Sequence, residues 1–398
     1  MKPLEIVVLV LLLLMGVPDL CRLLRRPALV YPVYVVIGMF VGFFCVPSAI
    51  TLVQLVGGFG FILLLFLIGL EIEMPDRRAG ISALKHAARW IAVQLPLLAG
   101  IGLLLKGKAA ESILAAGALT GCSVSMAYAA WQSFPHADER SKAKALLGMV
   151  ALEILSIFLI AGSEVAVEDG FTWWGLLRVA GTVVAFLLVA YSADHVTRGL
   201  AKLLTFTTRW KVHFIVLVVF AVAAIGDRLG LSAPKTAFCL GLFVSGATKR
   251  GLEIEEHLEP IGKKFLIPVF FVGLGSMVPL PDFFHWTGLW ALLTAAFILA
   301  LRDLLYRHVW RAPLPGPRRT FLLACPNLTL AGVAATSLAG AHGSPRILSW
   351  LLLTSLFLSV ASVLLLPPAP PLLEPPMPET ETSPGLPTPH LPWGGVKT

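Results

Sequence analysis

Run after run of about 20 predominantly apolar residues fills this sequence, and a run of that length crosses the hydrocarbon core of a bilayer as one helix. Such runs are read near 4–21, 28–46, 53–72, 88–105, 110–131, 144–163, 172–192, 212–228, 232–248, 264–280, 286–306, 319–340 and 346–367. Composition leaves no soluble alternative. Only 14% of the residues are charged and 57% are hydrophobic, whereas a soluble domain carries about 25% charged residues. Within lipid every backbone polar group needs an internal partner, so the spans are helices. The expected fold class is an all-α integral membrane protein with about 13 transmembrane helices.

The charges test that count. Arg22, Arg25 and Arg26 fall in one connection; Arg77, Arg78, Lys85 and Arg89 fall two connections later, and Arg140, Lys142 and Lys144 two later again. The alternation continues through Lys202, Arg209, Lys249, Arg250, Arg307 and Arg318. The opposite connections hold little besides Lys106, Lys108, Arg178, Arg228 and Arg346. By the positive-inside rule the rich side is cytoplasmic, the amino terminus lies outside and the carboxyl terminus inside. The inner (cell) membrane is the expected location. The net charge of +8 is thus spent on topology, and no nucleic acid is expected as a partner. The apolar run at the amino terminus is followed, not preceded, by arginines, which favours a retained helix over a cleaved signal.

No HExxH, GxSxG, Walker or dinucleotide-binding motif is present, so neither an enzyme nor a cofactor is expected. Cys21, Cys45, Cys122, Cys239 and Cys325 form no CxxC pair and read as small buried residues. Residues 368–398 are too rich in proline for helix or sheet and read as a disordered cytoplasmic tail, with a PxxP ligand as the alternative. Glu253, Glu255, Glu256 and Glu259 beside Lys263 and Lys264 read as a solvated loop, with pH sensing through His257 as the alternative.

The chain echoes itself. Residues 59–75 and 265–280 are alike, as are LTGCSVSMAYAA at 119–130 and LTLAGVAATSLA at 328–339. Inverted repeats in transporters produce such echoes. The expected organisation is one transmembrane domain, 1–367. It holds a first six-helix repeat at about 1–165, a linker helix at about 172–192 and a second, inverted repeat at about 212–367.

GFILLLFLIGLEIE (60–73), GLSAPKTAFCLGLFVSGAT (230–248) and EIEEHLEPIGKKFLIPVFFVGLGSM (253–277) resemble the monovalent cation/proton antiporter superfamily. The nearest branch holds glutathione-gated potassium efflux and bacterial sodium/proton antiporters. The resemblance implies two discontinuous helices that cross near mid-membrane, a carboxylate beside the crossing and a basic residue from the second half. It also implies a homodimer in the lipid bilayer and, as partners, H+ with Na+ or K+. The carboxylate falls at Glu153, where relatives commonly carry Asp after Asn, Gln or a second Asp. Here Leu152 precedes it, which implies electroneutral exchange or altered ion selectivity. The basic position falls at Arg302, with Asp303 next to it as a second charge-compensating candidate. The crossing segments fall on Thr120, Gly121, Cys122, Ser123 and Ser125 in the first half, and on Asn327, Thr329 and Gly332 in the second.

The chemistry suits these types. A carboxylate in the bilayer is costly unless it faces protein or water, and it is functional by default. Burial favours its protonated form, whereas a bound cation favours the ionised form. Glu153 therefore holds either a proton or a transported cation, and that competition couples the two fluxes. With Glu153, the candidate ion- and proton-binding residues are Thr120, Cys122 and Ser123, and Asn327 and Thr329 are the polar residues of the second crossing segment; carbonyl and hydroxyl oxygens there suit an alkali ion. Blander readings stand beside these: structural pairing for Glu153, snorkelling for Arg302, a local ion pair for Asp303 with Arg302 or Arg307, and close helix packing for 120–125. An organic-ion symporter or exporter on the same scaffold, and a non-transporting sensor or subunit, are the rival functions.

Overall fold

Helix occupies each expected span that the computed structural model describes, and the departures lie at helix ends and breaks. The described residues are 3–71, 77–134, 138–169, 211–228, 233–247, 262–310 and 319–367, with Thr172, Trp173, Leu177 and Gly181. The expected linker helix 172–192 lies almost wholly outside them, as do the acidic loop 253–261 and the tail 368–398.

The helices are α1 (Pro3–Leu23), α2 (Val30–Phe44), α3 (Pro47–Glu71), α4 (Arg77–Leu104), α5 (Ala109–Thr120), α6 (Val124–Ser133) and α7 (Glu139–Asp169). After residue 210 follow α8 (Lys211–Arg228), α9 (Ala233–Ala247), α10 (Ile267–Ser276), α11 (Leu280–Phe284), α12 (Trp286–Leu305), α13 (Leu328–Gly340) and α14 (Pro345–Leu365). Among the described residues every regular element is helical, and seven helices are long and apolar enough to cross a bilayer.

Several helices outrun their apolar windows. α4 begins at Arg77 rather than near 88, and α7 at Glu139 rather than near 144. Backbone hydrogen bonding continues wherever side chains reach water, so hydropathy trims helix ends that the structure keeps. α7 also has a start signal: the Ser141 amide donates to Asp138 Oδ1 at 2.9 Å, as an N-cap does. Hydrogen bonds from the Ser141 side chain and backbone hold the Asp138 carboxyl below its ordinary range. Pro279 precedes α11 and Pro281 lies in its first turn; this short helix bridges α10 to α12.

Two sets of helices pack side by side. One joins α2, α3, α9 and α10, with α8 against α9 and α3. The other joins α4, α5, α7, α12, α13 and α14. Each set draws on both halves of the sequence. In the first, the backbones of α2 and α10 touch: a Cβ on Gly38 would lie 2.1 Å from Val272 O, and one on Gly275 2.0 Å from Val35 O. Small residues permit this approach where lipid supplies no hydrophobic drive between helices. Gly275→Ala is therefore expected to cost roughly 1–3 kcal/mol by overpacking. Gly58→Ala, at a position with nothing within 4 Å, serves as the neutral control. Melting curves of the detergent-purified variants check this, and equal melting temperatures would refute the contact.

The candidate ion site at the helix crossing

Two spans break at corresponding places in the two halves. α5 stops at Thr120, Gly121 is extended (φ −82°, ψ −175°), Cys122 and Ser123 follow, and α6 starts at Val124. In the second half a 3-10 turn, Thr320–Ala324, gives way to Cys325, Pro326 and Asn327 before α13 begins. Proline cannot donate a backbone hydrogen bond, so Pro326 interrupts the ladder, and Asn327 (φ −143°, ψ 17°) is the residue that leaves the helical region.

The two breaks meet. The Ser123 amide donates to Pro326 O at 2.6 Å. The Cys122 thiol lies 3.7 Å from Leu323 O. Asn327 Nδ2 reaches back to Leu119 O at 3.3 Å, so the start of α13 caps the end of α5. The four facing ends bring partial charges together: amides at the starts of α6 and α13, carbonyls at the ends of α5 and the 3-10 turn.

Charged side chains answer those ends by sign. Glu153, fully buried, projects from α7 and accepts the Val124 amide at 3.1 Å through Oε2, at the positive end of α6. Arg302, also fully buried, answers the carbonyls. Its Nη2 donates to Leu119 O at 2.6 Å and Gly121 O at 3.1 Å, and its Nη1 to Ala324 O at 2.7 Å. Its Nε donates to Gln94 Oε1 at 3.0 Å, and the guanidinium lies 6.0 Å from the Trp90 ring centroid. One guanidinium thereby ties α12 to α4, α5 and the second break. A planar fork of five N–H groups suits this geometry, and a single ammonium does not.

The remaining candidates divide. Thr120, Cys122, Ser123, Asn327 and Thr329 are all buried at the crossing. Thr120 donates its hydroxyl proton to Gly117 O at 2.8 Å, inside its own helix. Thr329 Oγ1 and Asn327 Oδ1 are buried without a hydrogen-bond partner. Gly332, expected in the second crossing segment, lies inside α13 instead and packs against the α10 ring of Phe270. Leu152 is fully buried beside Glu153 in the chain. Asp303 is not brought to the crossing. It forms an ion pair with Arg307 one turn on, with 30% of its side chain exposed. The Ser125 side chain lies outside the described set.

Gln94 was not anticipated. The available signal was a lone amide in the middle of an otherwise apolar span, two residues before Pro96. Glu111 is a second unanticipated buried carboxylate, in the first turn of α5, with Lys108 3.8 Å away. A cleft lined by Trp90, Met149, Tyr306, Thr320, Leu323 and Ala324 reaches the carbonyl side of the crossing, one turn along α7 from Glu153.

This arrangement can hold one positive ion against one carboxylate, in a site whose fixed dipoles are already balanced. The chain itself is similar to known proteins. The family described as sodium/hydrogen exchanger, transmembrane, matches residues 8–369. The Na(+)/H(+)-K(+) antiporter GerN of Bacillus cereus is 24% identical over 62% of this chain, and the aligned part spans 63% of that relative's length. A probable Na(+)/H(+) antiporter of Methanocaldococcus jannaschii is 23% identical over 70% of this chain and 72% of its own. The solved structure of the sodium proton antiporter MjNhaP1 from the same organism has a TM-score of 0.67 at 15% identity. It aligns with 91% of this chain and 95% of that one, and shares its fold. The chain is a multi-pass membrane protein that belongs to the transmembrane sodium/hydrogen exchanger family.

Proposed function

We propose that the chain exchanges a monovalent cation, Na+ or K+, for protons, with Glu153 carrying either one through alternating access. The observation behind this reading is a fully buried carboxylate set at the positive end of a broken helix, beside a second broken helix. An isolated ionised carboxylate is expensive there. It is neutralised in two ways, by a proton or by a cation, and each excludes the other. A site that reorients when loaded and stays put when bare exchanges one for the other. Arg302 stays with the backbone carbonyls, which leaves Glu153 as the group whose charge changes. The names of the relatives favour sodium, and one of them adds potassium. Purified protein in proteoliposomes containing a pH dye provides the test. An imposed Na+ or K+ gradient is expected to drive an opposite proton flux, and no response to either cation sinks the proposal.

The repeats and the orientation belong to the same proposal. The motive observation is that both breaks follow the same order of elements, with Lys108 and Arg140 in successive connections of opposite basic content. Single cysteines introduced at these two positions, in a background without the native five, are expected to react from opposite sides of the membrane. A membrane-impermeant thiol reagent on intact cells should label position 108 and spare position 140. The reverse pattern, or labelling of both, overturns the orientation.

A further inference from the structure

Ser156 lies three residues beyond Glu153 on α7, a spacing that puts both side chains on one helix face with Cβ atoms about 5–6 Å apart. It is fully buried, and its Oγ has no hydrogen-bond partner. Ser112, Thr329, Thr354 and Ser355 also bury hydroxyls without a partner, but of these hydroxyls only that of Ser156 lies one turn from Glu153 on its own helix; others take the local bond. Thr120, Ser163, Thr294, Ser337 and Ser362 each donate to a carbonyl three or four residues back. That back-bond is open to any helical serine, and in lipid it is the cheapest way to satisfy a hydroxyl. Ser156 forgoes it and points at the first break. A Cβ on Gly121 would fall 2.4 Å from Ser156 Oγ and 2.7 Å from its Cβ. The glycine leaves room for the hydroxyl, and Gly121 O is in turn fixed by Arg302.

A buried hydroxyl without a partner is costly, and a cation ligand removes that cost. Oxygen suits alkali ions, and an ion held between two oxygens on one helix face, one turn apart, needs no rearrangement of α7. We propose that Ser156 Oγ ligates the transported cation beside Glu153 and sets its apparent affinity. This rests on the exchange reading above and deepens it. The hydroxyl does not titrate near neutrality, so it serves the cation half of the cycle and leaves the proton half to Glu153.

The test uses Ser156→Ala and Ser156→Cys in proteoliposomes, with the cation-dependent rise in melting temperature of the purified protein as a second readout. Cysteine keeps the side chain's shape and replaces a hard oxygen by sulfur, a poor ligand for an alkali ion. Both variants are expected to raise the KM for the cation about tenfold, the effect of about 1.4 kcal/mol of lost contact, with the maximal rate nearly unchanged. Both should also need correspondingly more cation for the same thermal shift. An unchanged KM beside an active wild type overturns the assignment. So does a fall in melting temperature in choline without any change in KM, because that is the signature of a hydroxyl serving only the packing. If the wild type moves no protons, the exchange reading fails by itself; a cation-dependent thermal shift lost in Ser156→Ala would still support the ligand, and one retained would overturn it.

Discussion

Glu153→Gln is expected to reduce cation-driven proton flux to background while the protein still folds. Glutamine has the same length and keeps an oxygen able to accept the Val124 amide, so the bond seen at Oε2 survives. What it cannot do is ionise. Without a negative charge there is no reason for a desolvated alkali ion to leave water, and no group to release a proton when the ion arrives. The melting temperature should stay within a few degrees of wild type, and any stabilisation by added cation should vanish. A one-site mechanism makes a further quantitative demand on the wild type. Protons and cations compete for one carboxylate, so the apparent KM for the cation rises as pH falls, by about tenfold per unit in the limiting case. A KM independent of pH, or a Glu153→Gln protein that still exchanges, would mean that the two ions use separate sites.

Much of this site was legible in the sequence because each signal has a physical cause that needs no neighbour. Gly121 falls in the first break, where it allows close approach to Ser156, and Asn327 falls in the second, whereas Gly332 lies inside α13. Glu153 stands out because a carboxylate in mid-span is costly wherever the helix happens to pack. The parts that stayed hidden depend on three-dimensional company. Arg302 sits four residues from the end of the 286–306 window, where snorkelling is open to it. In the structure the helix runs on as a π-turn through Tyr306–Trp310, and Arg302 hydrogen-bonds to segments distant in the chain. Gln94 is invisible for the same reason: its value lies in Arg302, 208 residues away. Asp303 reads from the sequence either as a second charge-compensating residue or as a local partner of Arg302 or Arg307; one residue is about 100° of helix, and the structure pairs it with Arg307. Ser156 had no signal at all, because most helical serines are satisfied by their own turn.

Arg302→Ala is expected to damage the fold before it damages transport. The substitution removes the donors that satisfy Leu119 O, Gly121 O, Ala324 O and Gln94 Oε1, all in the buried centre of the second helix set. Leu119 O keeps the Asn327 amide, but each of the other three orphaned acceptors costs on the order of 1–3 kcal/mol, so together they reach roughly 5 kcal/mol. That is comparable with the whole margin of about 5–15 kcal/mol on which folded domains rest. It also leaves the carbonyl ends of α5 and the 3-10 turn facing each other with no positive charge between them. The variant should accumulate poorly or melt far below wild type. Arg302→Lys separates the two consequences. An ammonium restores the charge but offers three donors from one point, too compact to reach the carbonyls of both breaks and the Gln94 amide at once. It should fold, melt at an intermediate temperature and exchange at a reduced rate. Gln94→Leu, which removes a single neutral acceptor, should lower the melting temperature much less than Arg302→Ala does. Were Arg302→Ala to melt with the wild type, the two breaks would not depend on this guanidinium, and the crossing would have to be held by Asn327 and the Ser123–Pro326 bond alone.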